Sequence, residues 1–147
     1  MKSKWRPDDS FVNKQAGEIK GVKRVNDALK KRRVRAGQGI RTSRDTGLAA
    51  VRGDLKRTSM PEGFQQWQLP VALGPNQDVL AFITVGAPDA ELPEHSHKID
   101  LFRLIISGSV LYKGKELHAG DWMSVKAGQS YGLKAGPSGV HICHIYW

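Results

Sequence analysis

The chain has a single cysteine and no long apolar run, and acidic residues are far fewer than basic ones in its first sixty residues. Cys143 is the only cysteine, which excludes an internal disulfide bond and a cysteine-based zinc knuckle. No stretch approaches the twenty or so apolar residues that a membrane-spanning helix needs, and no apolar run follows the first residues as in a signal peptide. We therefore expect a protein that no signal peptide exports, that binds no membrane, and that works in the cytoplasm or within a particle.

The positive charge is concentrated at one end of the chain. Residues 1–60 carry a net charge of about +11 and residues 61–147 about −2. This break in composition predicts a basic N-terminal arm, residues 1–60, followed by one domain, residues 61–147.

Within the arm, one helix is predicted over about residues 15–35. Its apolar residues recur at spacings of three and four, which places them on one stripe: Ile19, Val22, Val25 and Leu29. Residues 37–59 are polar and basic with no sustained apolar period, so we expect this part of the arm to be extended.

A basic cluster follows the apolar stripe. Its members are Lys30, Lys31, Arg32, Arg33, Arg35, Arg41 and Arg44. Such a cluster binds nucleic-acid phosphates through counterion release, or it binds the acidic surface of a large protein assembly. The sequence leaves both partners open.

The second half of the chain consists of short apolar segments separated by turns. Residues 79–85 form a nearly continuous apolar run, and residues 101–106 and 110–112 flank a Ser-Gly pair. The sequence Lys113-Gly114-Lys115 is typical of a tight hairpin. This even spacing predicts an all-β fold that is closed or sandwiched.

Two histidines give the sharpest chemical signal. His95 and His97 stand two residues apart, and on an extended strand that spacing sends both imidazoles to one face. They could share a metal ion or another ligand there.

The spacing around this pair resembles the first motif of the cupin superfamily, a group of small jelly-roll barrels. That motif is His-x-His, three or four residues, Glu, six residues and Gly. Counted back from Gly108, the Glu position holds Leu101.

The second cupin motif is Gly, five residues, Pro-x-Gly, two residues and His. Counted from Gly120, these later positions hold Lys126, Gly128 and Tyr131. The resemblance therefore implies a cupin-like jelly-roll barrel, preceded by the basic arm, in which half of the metal-binding set has been replaced.

Other donors could complete a metal site. Asp100 is next to the Glu position, but it faces the other side of the strand unless a bulge intervenes. Tyr131 offers a phenol. Alternatively, His141 and Cys143 share a face of the last strand and would complete a tetrahedral zinc site if that face were turned inward.

The predicted function follows from what the motif lacks. We expect no cofactor, or one divalent metal ion (Zn, Fe, Mn or Ni), and the missing ligands argue against an enzyme. The main prediction is a non-enzymatic assembly module that the arm anchors to a virion shell or nucleoprotein particle.

Three further possibilities stay open at this point. The barrel is a metal-dependent enzyme or a small-molecule sensor that uses His95 and His97, or the chain is a nucleic-acid-binding regulator. The resemblance also implies that a homodimer through the barrel is an option. Arg103, the one charge in an apolar strand, faces solvent or binds an anionic ligand inside.

Overall fold

The structure is a computed structural model that describes residues 5–15, 17–35 and 39–146. Within these residues there are two helices, α1 (Lys20–Lys31) and α2 (Leu48–Asp54), and a short 3-10 turn at Ser10–Val12. The strands are β1 (Lys14–Gln15), β2 (Glu18–Ile19), β3 (Lys56–Arg57), β4 (Phe64–Leu73), β5 (Val79–Gly86), β6 (Glu91–His95), β7 (Leu101–Tyr112), β8 (Lys115–His118), β9 (Trp122–Val125) and β10 (Tyr131–Tyr146). No helix among these residues is both long and apolar enough to cross a membrane.

One antiparallel sheet of eight strands makes up the barrel. Its order is β3-β4-β5-β10-β7-β8, with β6 also paired to β10 and β9 to β7. Strand β10 organises the sheet because it pairs with β5, β6 and β7, and its register shifts between Ala135 and Val140. The sheet thereby rolls up, which confirms the predicted all-β jelly-roll barrel.

The barrel core follows the two-residue alternation of its strands. On β7, Leu101, Arg103 and Ile105 point inward and are buried, while Leu104 and Ile106 are exposed on the outer face. Because the inner row of a strand is normally apolar, the charged Arg103 within it is unusual.

Helix α1 packs against β4, and the predicted stripe is buried at Val22, Val25 and Leu29. Gly21 allows this close approach. A Cβ placed on Gly21 would lie 2.4 Å from Leu80 Cδ1. Glycine has a low helix propensity, but at position 21 its missing side chain is what lets the helix pack closely against the barrel.

The segment expected to be extended contains the second helix, α2. Leu48, Val51 and Leu55 are buried there and form a small second core with Val25 and Leu29 of α1. Three apolar residues are too few to reveal a helical period in the sequence. They are enough to stabilise a short helix once α1 provides a surface for them to pack against. The boundary predicted near Met60 stays a prediction, although β3 before it pairs with β4 after it.

Candidate functional site

The two histidines lie together inside the barrel, as their spacing predicts. His95 ends β6 and His97 follows one exposed residue later, and both side chains are buried. Their Nε2 atoms are 3.1 Å apart. His95 is also the cross-strand partner of Tyr131, which begins β10.

Oxygen acceptors fix the tautomer of both rings. The Nδ1 of His95 is 2.6 Å from the carbonyl oxygen of Pro93, so Nδ1–H must be the donor. The Nδ1 of His97 is 2.8 Å from Oδ1 of Asp9. Burial lowers the pKa of His95 to about 4, and the nearby charges of His97 and Arg103 add to this effect. His95 is therefore neutral near pH 7 and presents a bare Nε2.

Asp9 is a site residue that the sequence did not reveal. It is buried, and its second oxygen accepts the backbone N–H of Lys98 at 3.1 Å. Burial raises the pKa of Asp9, but its hydrogen bond with His97, the charge of His97 and the N–H of Lys98 outweigh this and leave the pKa lowered. The carboxylate is thus ionised and accepts a hydrogen bond from His97 Nδ1–H. The one available signal is that Asp9 belongs to a pair of acids within a basic arm.

Because both Nδ1 atoms carry the hydrogen, the two Nε2 atoms face each other with lone pairs. Two acceptors at 3.1 Å repel unless a proton or a cation lies between them. The pair is therefore built to hold a positive charge at that point.

Tyr131 and Arg103 lie on the other side of the pair. The hydroxyl of Tyr131 is 3.2 Å from His97 Nε2, and Arg103 donates to the same hydroxyl. Burial raises the pKa of Tyr131 despite the opposing effect of Arg103, so the phenol is neutral. The sequence left open whether Arg103 faces solvent, and the structure turns it inward.

The distance between the two imidazoles fits one shared metal ion. Two nitrogens bound to the same ion at about 2.1 Å lie about 3.0 to 3.4 Å apart, and the observed separation is 3.1 Å. Across the described ranges, no group of three or more His, Cys, Asp and Glu side chains is placed to bind a metal ion. Further ligands would therefore come from Tyr131, solvent or a bound small molecule.

The structure does not bring Asp100, which was predicted as a possible ligand, to this site. Its carboxylate accepts the backbone N–H of Ala127 at 2.8 Å and the ammonium of Lys126 at 3.2 Å. No bulge turns Asp100 inward. Leu101 instead is fully buried at the start of β7, so its neighbour faces away from the interior.

The structure does not bring the alternative zinc ligands, His141 and Cys143, to the pair either. His141 is exposed and Cys143 is half-buried on the outer face of β10, because Ile142 and His144 occupy the inner row. Burial raises the pKa of the Cys143 thiol, so it is not a ready thiolate. His144, on the opposite face of β10, is the histidine of this strand that points into the barrel.

The residues of the N-terminal segment (residues 5–12) close the mouth of the barrel. The ring of Trp5 contacts His95 edge-on with centroids 4.9 Å apart, and its Nε1–H donates to the carbonyl of Ser59. Phe11 packs against Phe82 and Tyr146 at the barrel wall. Beneath this segment is a cavity of about 30 Å³.

The basic cluster is partly engaged within the chain. Arg32 and Lys31 pair with Asp54, and the hydrogen bond from Arg32 lowers the pKa of Asp54 to about 2. Arg41 donates to backbone carbonyls. Four members line one open groove: Arg32, Arg33, Arg35 and Arg44. The predicted nucleic-acid or acidic-protein partner stays a prediction.

Comparison with known proteins yields similar folds and no close relative. No family model and no curated protein sequence matches the chain. An RmlC-like cupin from Shewanella frigidimarina is 23% identical, with 58% of this chain and 77% of that one covered and a TM-score of 0.48. The polyketide cyclase RemF from Streptomyces resistomycificus is 14% identical, with coverages of 60% and 69% and a TM-score of 0.49.

The third similar structure is oxalate decarboxylase from Lactobacillus farciminis, solved as a formate complex. It is 18% identical, with 59% of this chain aligned at a TM-score of 0.48, and the alignment spans only 29% of the decarboxylase. At such identities the likeness concerns the fold alone.

The predicted non-enzymatic assembly module is wrong. Among the similar structures are two that are described as enzymes, a cyclase and a decarboxylase. In addition, Trp5, Asp9 and Phe11 of the arm pack onto the chain's own barrel.

Proposed function

We propose that this protein is a metal-dependent small-molecule enzyme or sensor, with its site inside the barrel. His95 and His97 hold one divalent ion through Nε2, and the small molecule binds beside that ion. The observation that carries the proposal is the convergence of two unprotonated Nε2 atoms, 3.1 Å apart, on rings whose tautomers are already fixed.

The hydrogen bonds behind the two rings support a metal site. Histidines that bind metals usually donate the other ring N–H to a carboxylate or a backbone carbonyl, which orients the ring and makes it a better ligand. His97 has the first arrangement with Asp9, and His95 has the second with Pro93. Both rings are thus prepared before any ion arrives.

Each group around the pair has a chemical part. The ion would polarise a carbonyl or carboxylate oxygen of the ligand as a Lewis acid. Tyr131 can donate its hydroxyl proton, and Arg103 holds that hydroxyl in place. The N-terminal segment covers both rings, and their burial strengthens electrostatic interactions in the interior.

Titration with Co²⁺ and Zn²⁺ tests the proposal. The wild-type chain is expected to bind about one ion, and the variants His95→Ala and His97→Ala are expected to bind at least about 100-fold more weakly. Asp9→Ala should weaken binding by about 10- to 100-fold, since it frees the His97 ring. His118→Ala serves as the matched control because His118 is exposed.

Two results of this titration would count against a metal. Folded His97→Ala protein that binds ions as tightly as the wild type would place them elsewhere. Wild-type protein that binds no ion would contradict the metal site and favour the second candidate function, which is described next.

The second candidate is metal-free acid–base catalysis, in which a proton rather than an ion lies between the rings. Asp9 orients the His97 ring through Nδ1, and a proton carried on Nε2 would stand within reach of a bound molecule next to Tyr131. Turnover that persists in chelator and disappears in Asp9→Ala would favour this candidate.

A further inference from the structure

A buried positive charge inside the barrel has no negative partner. The side chain of Arg103 is 3% exposed, and a guanidinium stays protonated in proteins. One nitrogen donates to Tyr131, which is a neutral phenol, while Nε has no acceptor. Leaving an ion buried without compensation is costly, so this position calls for an anion.

The acidic side chains that line the same cavity are committed elsewhere. Asp9 accepts from His97 and from the backbone of Lys98. Asp8 accepts the backbone N–H of Ser10 and lies 3.9 Å from Arg57. Within the described part of the chain, Arg103 therefore forms no ion pair.

A second unpartnered group stands beside Arg103. His144 on β10 is its cross-strand partner, is 2% exposed, and neither ring nitrogen has a hydrogen-bond partner. Burial and then the charge of Arg103 hold the pKa of His144 well below its ordinary value. The ring is thus neutral and offers one N–H donor to the cavity.

We propose that Arg103 and His144 form a binding site for a small carboxylate. Arg103 Nε–H donates to one oxygen of the carboxylate, and the ring N–H of His144 donates to the carboxylate as well. This deepens the proposed function and rests on it for one point, that the interior binds a small molecule. It supplies the chemical class of that molecule.

The size of the cavity limits what fits in the closed form. About 30 Å³ accommodates two or so water molecules, or a group the size of formate or acetate. A ligand with a longer tail has to extend toward the mouth, where Trp5 and Asp9 stand. Such a ligand would displace the N-terminal segment, while its carboxylate stays at the bottom of the cavity.

The test uses the full chain, freed of metal with chelator, and titrates sodium acetate or formate against sodium chloride at constant ionic strength. The readouts are the ¹⁵N–¹H resonance of Arg103 Nε and the thermal midpoint. Acetate is expected to shift the resonance and raise the midpoint, and Arg103→Met is expected to weaken acetate binding at least about 30-fold, as loss of a charged hydrogen bond would. Arg52→Met, which removes an exposed arginine, should bind as the wild type does.

Three outcomes overturn the proposal. Equal responses to chloride and acetate would show that the site does not select carboxylates. No response up to saturating acetate would show that solvent satisfies the two side chains. A response that appears only when metal is added back would show that the carboxylate binds the metal ion rather than Arg103 and His144.

The acetate titration is done without metal, so the two proposals can fail separately. Acetate binding at Arg103 is informative even if the protein binds no metal ion, and metal binding is informative even if acetate does not bind. The wild-type resonance remains decisive if Arg103→Met does not fold.

Discussion

Replacing Asp9 by alanine removes a hydrogen-bonded link between the N-terminal segment and the His95–His97 pair. In the structure the carboxylate accepts two hydrogen bonds, from Nδ1–H of His97 at 2.8 Å and from the N–H of Lys98 at 3.1 Å. A hydrogen bond to a charged group contributes about 1.5 to 3 kcal/mol. Water that enters the vacated space replaces part of this, so the expected loss in free energy of unfolding is about 3 kcal/mol.

Urea denaturation followed by circular dichroism measures this loss. The matched control is Asp8→Ala, because Asp8 is the neighbouring residue, has a half-exposed side chain and stands 3.9 Å from Arg57. We expect the control to lose less than about 1 kcal/mol. A free energy of unfolding for Asp9→Ala within about 0.5 kcal/mol of the wild-type value would show that these hydrogen bonds do not hold the segment at the barrel mouth.

Three further changes probe the pocket, the backbone and the second core. The pKa of His144 is depressed in the folded chain, so below about pH 6.5 the unfolded chain binds a proton that the folded chain does not. Stability then falls by up to about 1.4 kcal/mol per pH unit from this group, and urea titrations from pH 7 to 5 should show a shallower slope in His144→Leu. Gly108→Ala should lower the free energy of unfolding by at least about 3 kcal/mol, because its Cβ would lie 2.1 Å from the carbonyl oxygen of Gly139. Gly114 has a similar positive φ but open space around it, so Gly114→Ala should lower the free energy of unfolding by only about 1 kcal/mol. Leu55→Ala should cost about 3 kcal/mol by thermal denaturation, since Leu55 is fully buried, and an unchanged midpoint would show that α2 is not packed.

Much of the barrel was predictable because turns and apolar strands are local features. The local spacing of His95 and His97 also predicts that both side chains point to the same side. The position of Tyr131 in the site follows from the second motif. The last strand was different. Residues of both faces of β10 are apolar around the histidines, so periodicity alone does not show whether His141 or His144 points inward. The register with β7 decides this, by pairing His144 with Arg103.

Asp9 could not be predicted, because it lies 88 residues from His97 in the chain. Long-range contacts of this kind depend on where the N-terminal segment ends up, and nothing in the arm's charge pattern indicates that. Helix α2 was missed for a related reason. Its few buried residues gain their stability from α1 rather than from a pattern of their own.

The most direct test of the account is the response of the histidine ring nitrogens to zinc, observed by ¹⁵N nuclear magnetic resonance on the full chain. One equivalent of Zn²⁺ is expected to shift Nε2 of His95 and of His97 together, while both Nδ1 atoms keep their hydrogens and exposed His118 does not change. Shifts confined to His118 or His141, or two Nε2 resonances that zinc leaves unmoved, would contradict the claim that the pair is a metal site.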